Sequence, residues 1–324
     1  MAEEERRTVT GPRVGLVGLG TMGLGMARSL RRAGLRPGVH DVRAEVAERF
    51  AAEGGEGGEV GEAGEAFATA GELAATVDVL VGVVVDAEQV EAVLFGEGGA
   101  AARLRPGAVY VMCSTIAPER SAELAARLAE LNVHYLDAPV SGGAARAAAG
   151  ELTMMTSGSA DAYALADPVL EALSATVYRL GAEPGLGSTV KAVNQLLAGV
   201  HIAAAAEAMA LGVKAGVPPE TLYEVITHSA GNSWMFENRM AHVLAGDYTP
   251  RSAVDIFVKD LGIVLDTARP QRFPLPLAAT AHQMFLQAAA GGLGGEDDSA
   301  VIKIFPGITL PRPAGEDTGP NGGA

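Results

Sequence analysis

VGLVGLGTMG, residues 14–23, decides the fold. A short apolar run ends in Gly18, Gly20 and Gly23, spaced G-x-G-x-x-G, and the helix-favouring run TMGLGMARSLRRAG follows at once. Glycines in this order permit a tight turn, close approach of backbone to a pyrophosphate, and close packing of helix on strand, while the helix entrance supplies partial positive charge. Thr21 and Met22 belong to that entrance. The next apolar run, PGVHD, ends in Asp41, 18 residues after Gly23. A carboxylate there accepts hydrogen bonds from an adenosine ribose and repels a ribose phosphate, so the site is predicted to take NAD in preference to NADP, a preference tempered by Arg43.

Working outward, β-branched runs keep alternating with Ala/Leu/Arg-rich ones: VDVLVGVVV, AVYVMCS, HYLDAPV and TVYRL are strand candidates. That rhythm belongs to βαβ units on a parallel sheet. After Gly187 the chain turns almost wholly helical, punctuated by AGVPPE, AGDYTP and RFPLP. The expected fold is therefore an α/β Rossmann dinucleotide-binding domain over 13–182, followed by an all-α domain over 183–305 that opens with a long helix capped by Ser188. Residues 1–12 read as a flexible tail and 306–324, rich in Pro and Gly, as a disordered one. The acidic, low-complexity EGGEGGEVGEAGE, residues 53–65, reads as a mobile loop.

Composition sets limits. The 324 residues suffice for two domains, and 48% hydrophobic residues make an ordered globular protein the expectation. With 24 Lys+Arg against 39 Asp+Glu the net charge is −15, which repels nucleic acid and anionic lipid headgroups. Cys113 is the single cysteine, so no internal disulfide can form, and a reducing, cytoplasmic setting is expected. The start, MAEEERRTVTGP, lacks the apolar core of a signal or anchor. Leu196 to Val213 is apolar enough to imitate a membrane span, but it carries His201 and Glu207, and a carboxylate near mid-bilayer costs roughly 2.5 to 3.5 kcal/mol. It reads as a core helix. The six histidines show no metal-ligand spacing, and no metal is expected.

Within GLGSTVKAVNQLLAGV, residues 185–200, Lys191 and Asn194 share a helix face in an otherwise apolar run. A buried amine needs a partner or a reason to change protonation state. Oxidation of a secondary alcohol requires a base for the hydroxyl proton while hydride leaves carbon, and Lys191, in the first turn of its helix, suits that role with a pKa drawn towards neutrality. An interdomain salt bridge is the alternative use of the same lysine. Ser141 beside Gly142 and Gly143 offers a hydroxyl and accessible N–H groups to a carboxylate.

Four motifs in order, VGLVGLGTMG, CSTIAPE, DAPVSGGAARAAAGELTMMTSG and GLGSTVKAVNQ, make the chain from about Arg13 to Phe305 resemble the β-hydroxyacid dehydrogenase family, whose members include 3-hydroxyisobutyrate dehydrogenase and tartronate semialdehyde reductase. The resemblance implies that Ser141, Gly142 and Gly143 hold the substrate, Lys191 is the acid/base and Asn194 orients the hydroxyl. It further implies cofactor contacts from Thr115, from Lys259 in FVKDLG, and from Val84, although Val83-Val84 stands where many members have Leu-Pro. For Lys259 a solvated pair with Asp260 is the competing reading.

The second half, above all GNSWMFENR, looks like the L-threonate dehydrogenase branch, which implies NAD-dependent oxidation of the hydroxyl beside the carboxylate of a four-carbon sugar acid to 2-oxo-tetronate. Asn232, Ser233 and Asn238 around Trp234 and Phe236 are candidate donors to sugar hydroxyls, or else part of a helix-packing aromatic pair. Other family activities, or a nicotinamide-binding sensor without catalysis, are the alternatives. Retention of Lys191 and Asn194 argues against the sensor and against imine reductases, which usually replace that lysine. The long apolar helix from Ser188 to Ala215 predicts a homodimer or homotetramer.

Overall fold

A computed structural model describes residues 11–53 and 64–311. The N-terminal tail up to residue 10, residues 54–63 of the acidic stretch and the end from 312 lie outside the described residues. The chain divides into two compact units between Lys191 and Ala192.

The first unit runs β1 (Val14–Val17), α1 (Thr21–Arg32), β2 (Gly38–His40), α2 (Ala44–Ala52), α3 (Ala70–Ala74), β3 (Val79–Gly82), α4 (Ala87–Phe95), β4 (Val109–Met112), α5 (Pro118–Ala129), β5 (His134–Asp137), β6 (Val140–Ser141), α6 (Gly143–Ala149), β7 (Leu152–Gly158), α7 (Ala160–Leu173) and β8 (Ser174–Arg179). Strands β2-β1-β3-β4-β5 pair in parallel in that order. Successive side chains point to opposite faces of a strand, so Leu16, Val79, Val81, Val109 and Val111 enter one core, while Val17, Leu80, Tyr110 and Met112 enter another. Burial on both faces explains why these strands read as continuous apolar runs.

The βαβ rhythm accounts for the parallel part, β2 to β5, and the sheet as a whole is mixed. LTMMTSG forms β7, which lies antiparallel to both β5 and β6 and parallel to β8. Its mixture of Leu, Thr and Met carries neither a clear alternation nor an apolar run, so periodicity did not mark it as a strand.

The helical unit is entered by α8 (Leu186–Lys214), followed by α9 (Pro219–Thr227), α10 (Trp234–Ala245), α11 (Val254–Ala268) and α12 (Pro276–Ala288), then a π-turn and the 3-10 segment Asp298–Ile304. Ile202, Ala206 and Met209 of α8 are buried with Phe257, Leu261 and Phe285, and the rings of Phe257 and Phe285 stack at 5.2 Å. α8 is long and apolar enough to cross a membrane by composition, yet these residues place it in the core of the helical unit. Beyond Phe305, Ile308 and Leu310 also pack on that core.

A polar knot holds the helical unit together. Asp297 accepts bonds from His242 Nδ1 at 2.9 Å, Ser299 Oγ at 2.6 Å and the Arg251 N–H at 3.1 Å. Burial opposes ionisation of Asp297, but these donors hold its carboxyl well below the usual carboxylate range. Its neighbour Asp298 is fully buried against Arg239; there burial prevails and pushes the carboxyl up to about 6.

Two expectations about α8 need correction. The helix begins at Leu186, so Ser188 lies inside it and does not cap it, and Lys191 is its sixth residue, past the first turn. The Ser188 hydroxyl donates to Asp137 of β5.

Candidate functional site

The loops that follow β1, β3 and β4 meet at the carboxyl edge of the parallel sheet, where ligands bind in open α/β folds. Gly18, with φ of +93°, sits so close to the β3 loop that an added Cβ would fall 2.2 Å from the Val83 carbonyl oxygen. Gly23 approaches the Gly18 carbonyl as tightly, at 1.8 Å for an added Cβ. Gly20, by contrast, has ordinary extended dihedrals (φ −66°, ψ −170°), and a Cβ there would meet nothing within 4 Å. Two of the glycines are thus needed by the protein itself, and the third leaves open space at the entrance of α1, whose first residues are Thr21 and Met22. A cradle of that form fits a pyrophosphate.

Asp41 follows β2 and ties this loop down. Its Oδ2 accepts the Leu19 N–H at 2.6 Å, and its Oδ1 accepts the Arg43 N–H at 2.9 Å and Nε–H at 3.0 Å. Burial works against the charge, yet the Arg43 bonds and the Leu19 N–H keep the carboxyl below its usual range. The Val84 N–H, after β3, donates to Ser114 Oγ at 3.1 Å, with Thr115 next in the chain after β4. Ser114 was missed in the sequence although it lies within the quoted CSTIAPE motif; a single hydroxyl there gives no periodic signal.

Ser141 closes the two-residue β6, opposite Thr153 of β7. Gly142 and Gly143 follow with φ of +137° and +73° and lead into α6. Space beside Gly143 is open, with nothing within 4 Å of an added Cβ. Lys191 is buried on α8. The start of that helix is bound to the end of β5: Asp137 Oδ2 accepts the Gly185 and Ser188 N–H groups at 3.0 and 2.8 Å, and Oδ1 accepts the Ser188 hydroxyl at 2.7 Å. Asp137 is fully buried, and desolvation raises its carboxyl above the ordinary value in spite of these donors.

Asn194 and Lys259 lie in the helical unit, joined through two residues. Asn194 Nδ2 donates to Gln195 Oε1 at 3.0 Å, Gln195 Nε2 donates to Asp260 Oδ2, and Lys259 Nζ donates to Asp260 Oδ1. The lysine pair with Asp260 is real, but Asp260 is buried and not solvated. Gln195, directly after Asn194, was legible only as one more polar residue. Of the GNSWMFENR donors, the Ser233 hydroxyl is committed to capping α10 through the Phe236 N–H. Asn238 Oδ1 accepts from Arg239, and Asn232 Nδ2 donates to the Thr227 carbonyl at 3.2 Å. Phe236 is buried and stacks on Tyr223, whereas Trp234 is 56% exposed. Cys113 is buried, and burial pushes its thiol up, away from reactivity.

Residues 13–181 match the family described as the NAD binding domain of 6-phosphogluconate dehydrogenase, and residues 185–305 match the one described as the NAD-binding of NADP-dependent 3-hydroxyisobutyrate dehydrogenase. The chain is 61% identical to the L-threonate dehydrogenase of Cupriavidus necator, over 93% of this chain and 98% of that one. It is 56% identical to the L-threonate dehydrogenase of Escherichia coli K12, over 92% and 96%. Among solved structures, a crystal structure of 3-hydroxyisobutyrate dehydrogenase from Salmonella typhimurium is 57% identical, with a TM-score of 0.83, covering 90% of this chain and 99% of that one.

Proposed function

The chain belongs to the 3-hydroxyisobutyrate dehydrogenase-related family and is an NAD(P)-dependent hydroxyacid dehydrogenase, and from that premise we propose that it oxidises L-threonate to 2-oxo-tetronate with NAD. The observation that carries this reading is the 61% identity, over nearly the whole of both chains, to a protein named for that activity.

The residues divide the work as follows. Gly18, Gly20 and Gly23 shape the cradle for the pyrophosphate, and Asp41, held between the Leu19 N–H and Arg43, faces the adenosine ribose with a negative charge that disfavours a phosphate on it. Thr21, Met22, Val84, Thr115 and Lys259 complete the cofactor contacts. The nicotinamide supplies the hydride acceptor. Ser141 with Gly142 and Gly143 binds the substrate carboxylate, Lys191 takes the hydroxyl proton and Asn194 orients that hydroxyl. A homodimer or homotetramer in the cytoplasm completes the reading: Val190, Val193 and Leu197 of α8 are 40%, 57% and 50% exposed, an apolar face suited to a second subunit.

The test is NADH formation with a panel of L-threonate, D-erythronate, 3-hydroxyisobutyrate and D-glycerate, with NAD and with NADP. L-threonate with NAD should give the highest kcat/KM by at least tenfold. A preference for 3-hydroxyisobutyrate would overturn the substrate, and preference for NADP would overturn the cofactor.

A further inference from the structure

Asp137 and Ser157 are register partners across the antiparallel pairing of β5 and β7, and both receive donors from the same four residues at the start of α8. Asp137 takes the Gly185 N–H, the Ser188 N–H and the Ser188 hydroxyl; Ser157 Oγ takes the Gly187 N–H at 3.1 Å. Gly187 presses so closely on the strands that an added Cβ would lie 2.4 Å from the Met155 carbonyl oxygen and 3.1 Å from Asp137 Oδ2. Three acceptor atoms on two paired strands fix both the rotation of α8 about its axis and its advance along it.

A helix start can be satisfied by water or by a single capping hydroxyl. A fully buried carboxylate is a costlier device, and its charge-assisted bonds hold more firmly than neutral ones. Ser188, which it grips through both N–H and hydroxyl, is three positions before Lys191 on the same helix face, and Gly187, held by Ser157, is four before it. We infer that Asp137 is a positioning residue for the reaction: with Ser157 it locks the first turn of α8 and thereby sets where the Lys191 amine stands. This inference rests on the reading of Lys191 as the acid/base. Ser121, Tyr135, Cys113 and Tyr163 are further polar or titratable groups near Asp137, all buried, and the Tyr163 hydroxyl donates to Thr156 of β7.

Asp137→Asn tests it, because the amide turns one acceptor into a donor facing the N–H groups of Gly185 or Ser188. A misplacement of about 1 Å costs on the order of 10²-fold in rate. The variant should therefore lose about 30-fold or more in kcat on L-threonate while its cofactor Kd stays within about twofold. In a Lys191→Ala background, followed over hours at high enzyme concentration, adding Asp137→Asn should change the residual rate less than about twofold, since no amine remains to be misplaced. A merely structural role would lower the rate equally in both backgrounds, and that result overturns the inference, as does an unchanged kcat in folded Asp137→Asn. Should Asp137→Asn fail to fold, Ser188→Ala, which removes one hydroxyl bond and no backbone bond, decides by the same two comparisons, with an expected loss of about threefold to tenfold. Wild-type turnover in Lys191→Ala would overturn the acid/base reading and this inference with it. An inactive Lys191→Ala beside an unaffected Asp137→Asn overturns the positioning role alone.

Discussion

Gly20→Ala separates what the glycine loop does for the fold from what it does for a ligand. At Gly20 the backbone is already in a region open to any residue, and an added Cβ meets nothing within 4 Å. The substitution therefore meets no steric obstacle and narrows the unfolded ensemble, a gain of at most about 0.4–1 kcal/mol, reduced by the poorer N-cap preference of Ala at the entrance of α1. For a unit of this size that corresponds to a Tm rise of at most about 1–4 °C. The open space is the one assigned to the pyrophosphate, so the methyl group should raise the Kd for NAD by tenfold or more, the equivalent of about 1.4 kcal/mol. Gly18→Ala gives the contrast: with φ of +93° and a Cβ 2.2 Å from the Val83 oxygen, it should lower Tm as well as weaken binding. Differential scanning calorimetry and NADH fluorescence titration read the two effects separately. Gly20→Ala that binds NAD as the wild type does would refute the assignment of that space, and a fall in its Tm as large as that of Gly18→Ala would refute the argument that the space is open.

Two more outcomes follow from charges. Asp41→Asn keeps an acceptor for the Leu19 N–H but leaves the Arg43 guanidinium without its carboxylate, so the ratio of kcat/KM for NADP to that for NAD should rise about tenfold or more, and an unchanged ratio would count against Asp41 as the determinant. Asp298, pushed up to about 6 in the fold, holds more protons folded than unfolded between its ordinary value of 3.8 and 6. Its contribution to stability therefore grows as the pH falls through that window and fades as pH rises past 6. Urea denaturation should show this slope in the wild type and its loss in Asp298→Asn; identical slopes would show that the carboxyl is not perturbed.

Much of this was legible in the sequence because it rests on period and punctuation. The strand runs, the three glycines and the terminal Asp41 lie where short-range chemistry puts them. β7 escaped because Leu152–Gly158 mixes Leu, Met, Thr and Ser without alternation, and its place is set by pairing with β5 and β6. The start of α8 was misread for a related reason: Ser188 has the chemistry of a cap, but a buried carboxylate 51 residues earlier uses its hydroxyl from within the helix. Asp137 stood in a quoted motif and drew no notice because its partners are distant in sequence. The donors read from GNSWMFENR show the converse, since Ser233 is taken up by the local business of capping α10.

The central claim is that Lys191 takes the proton of the substrate hydroxyl. The most direct measurement is the rate of NADH absorbance growth with NAD and L-threonate for Lys191→Ala, alongside its NADH affinity. The account predicts a fall of about 10²- to 10⁴-fold in turnover with cofactor affinity unchanged. Turnover within tenfold of the wild type would contradict it.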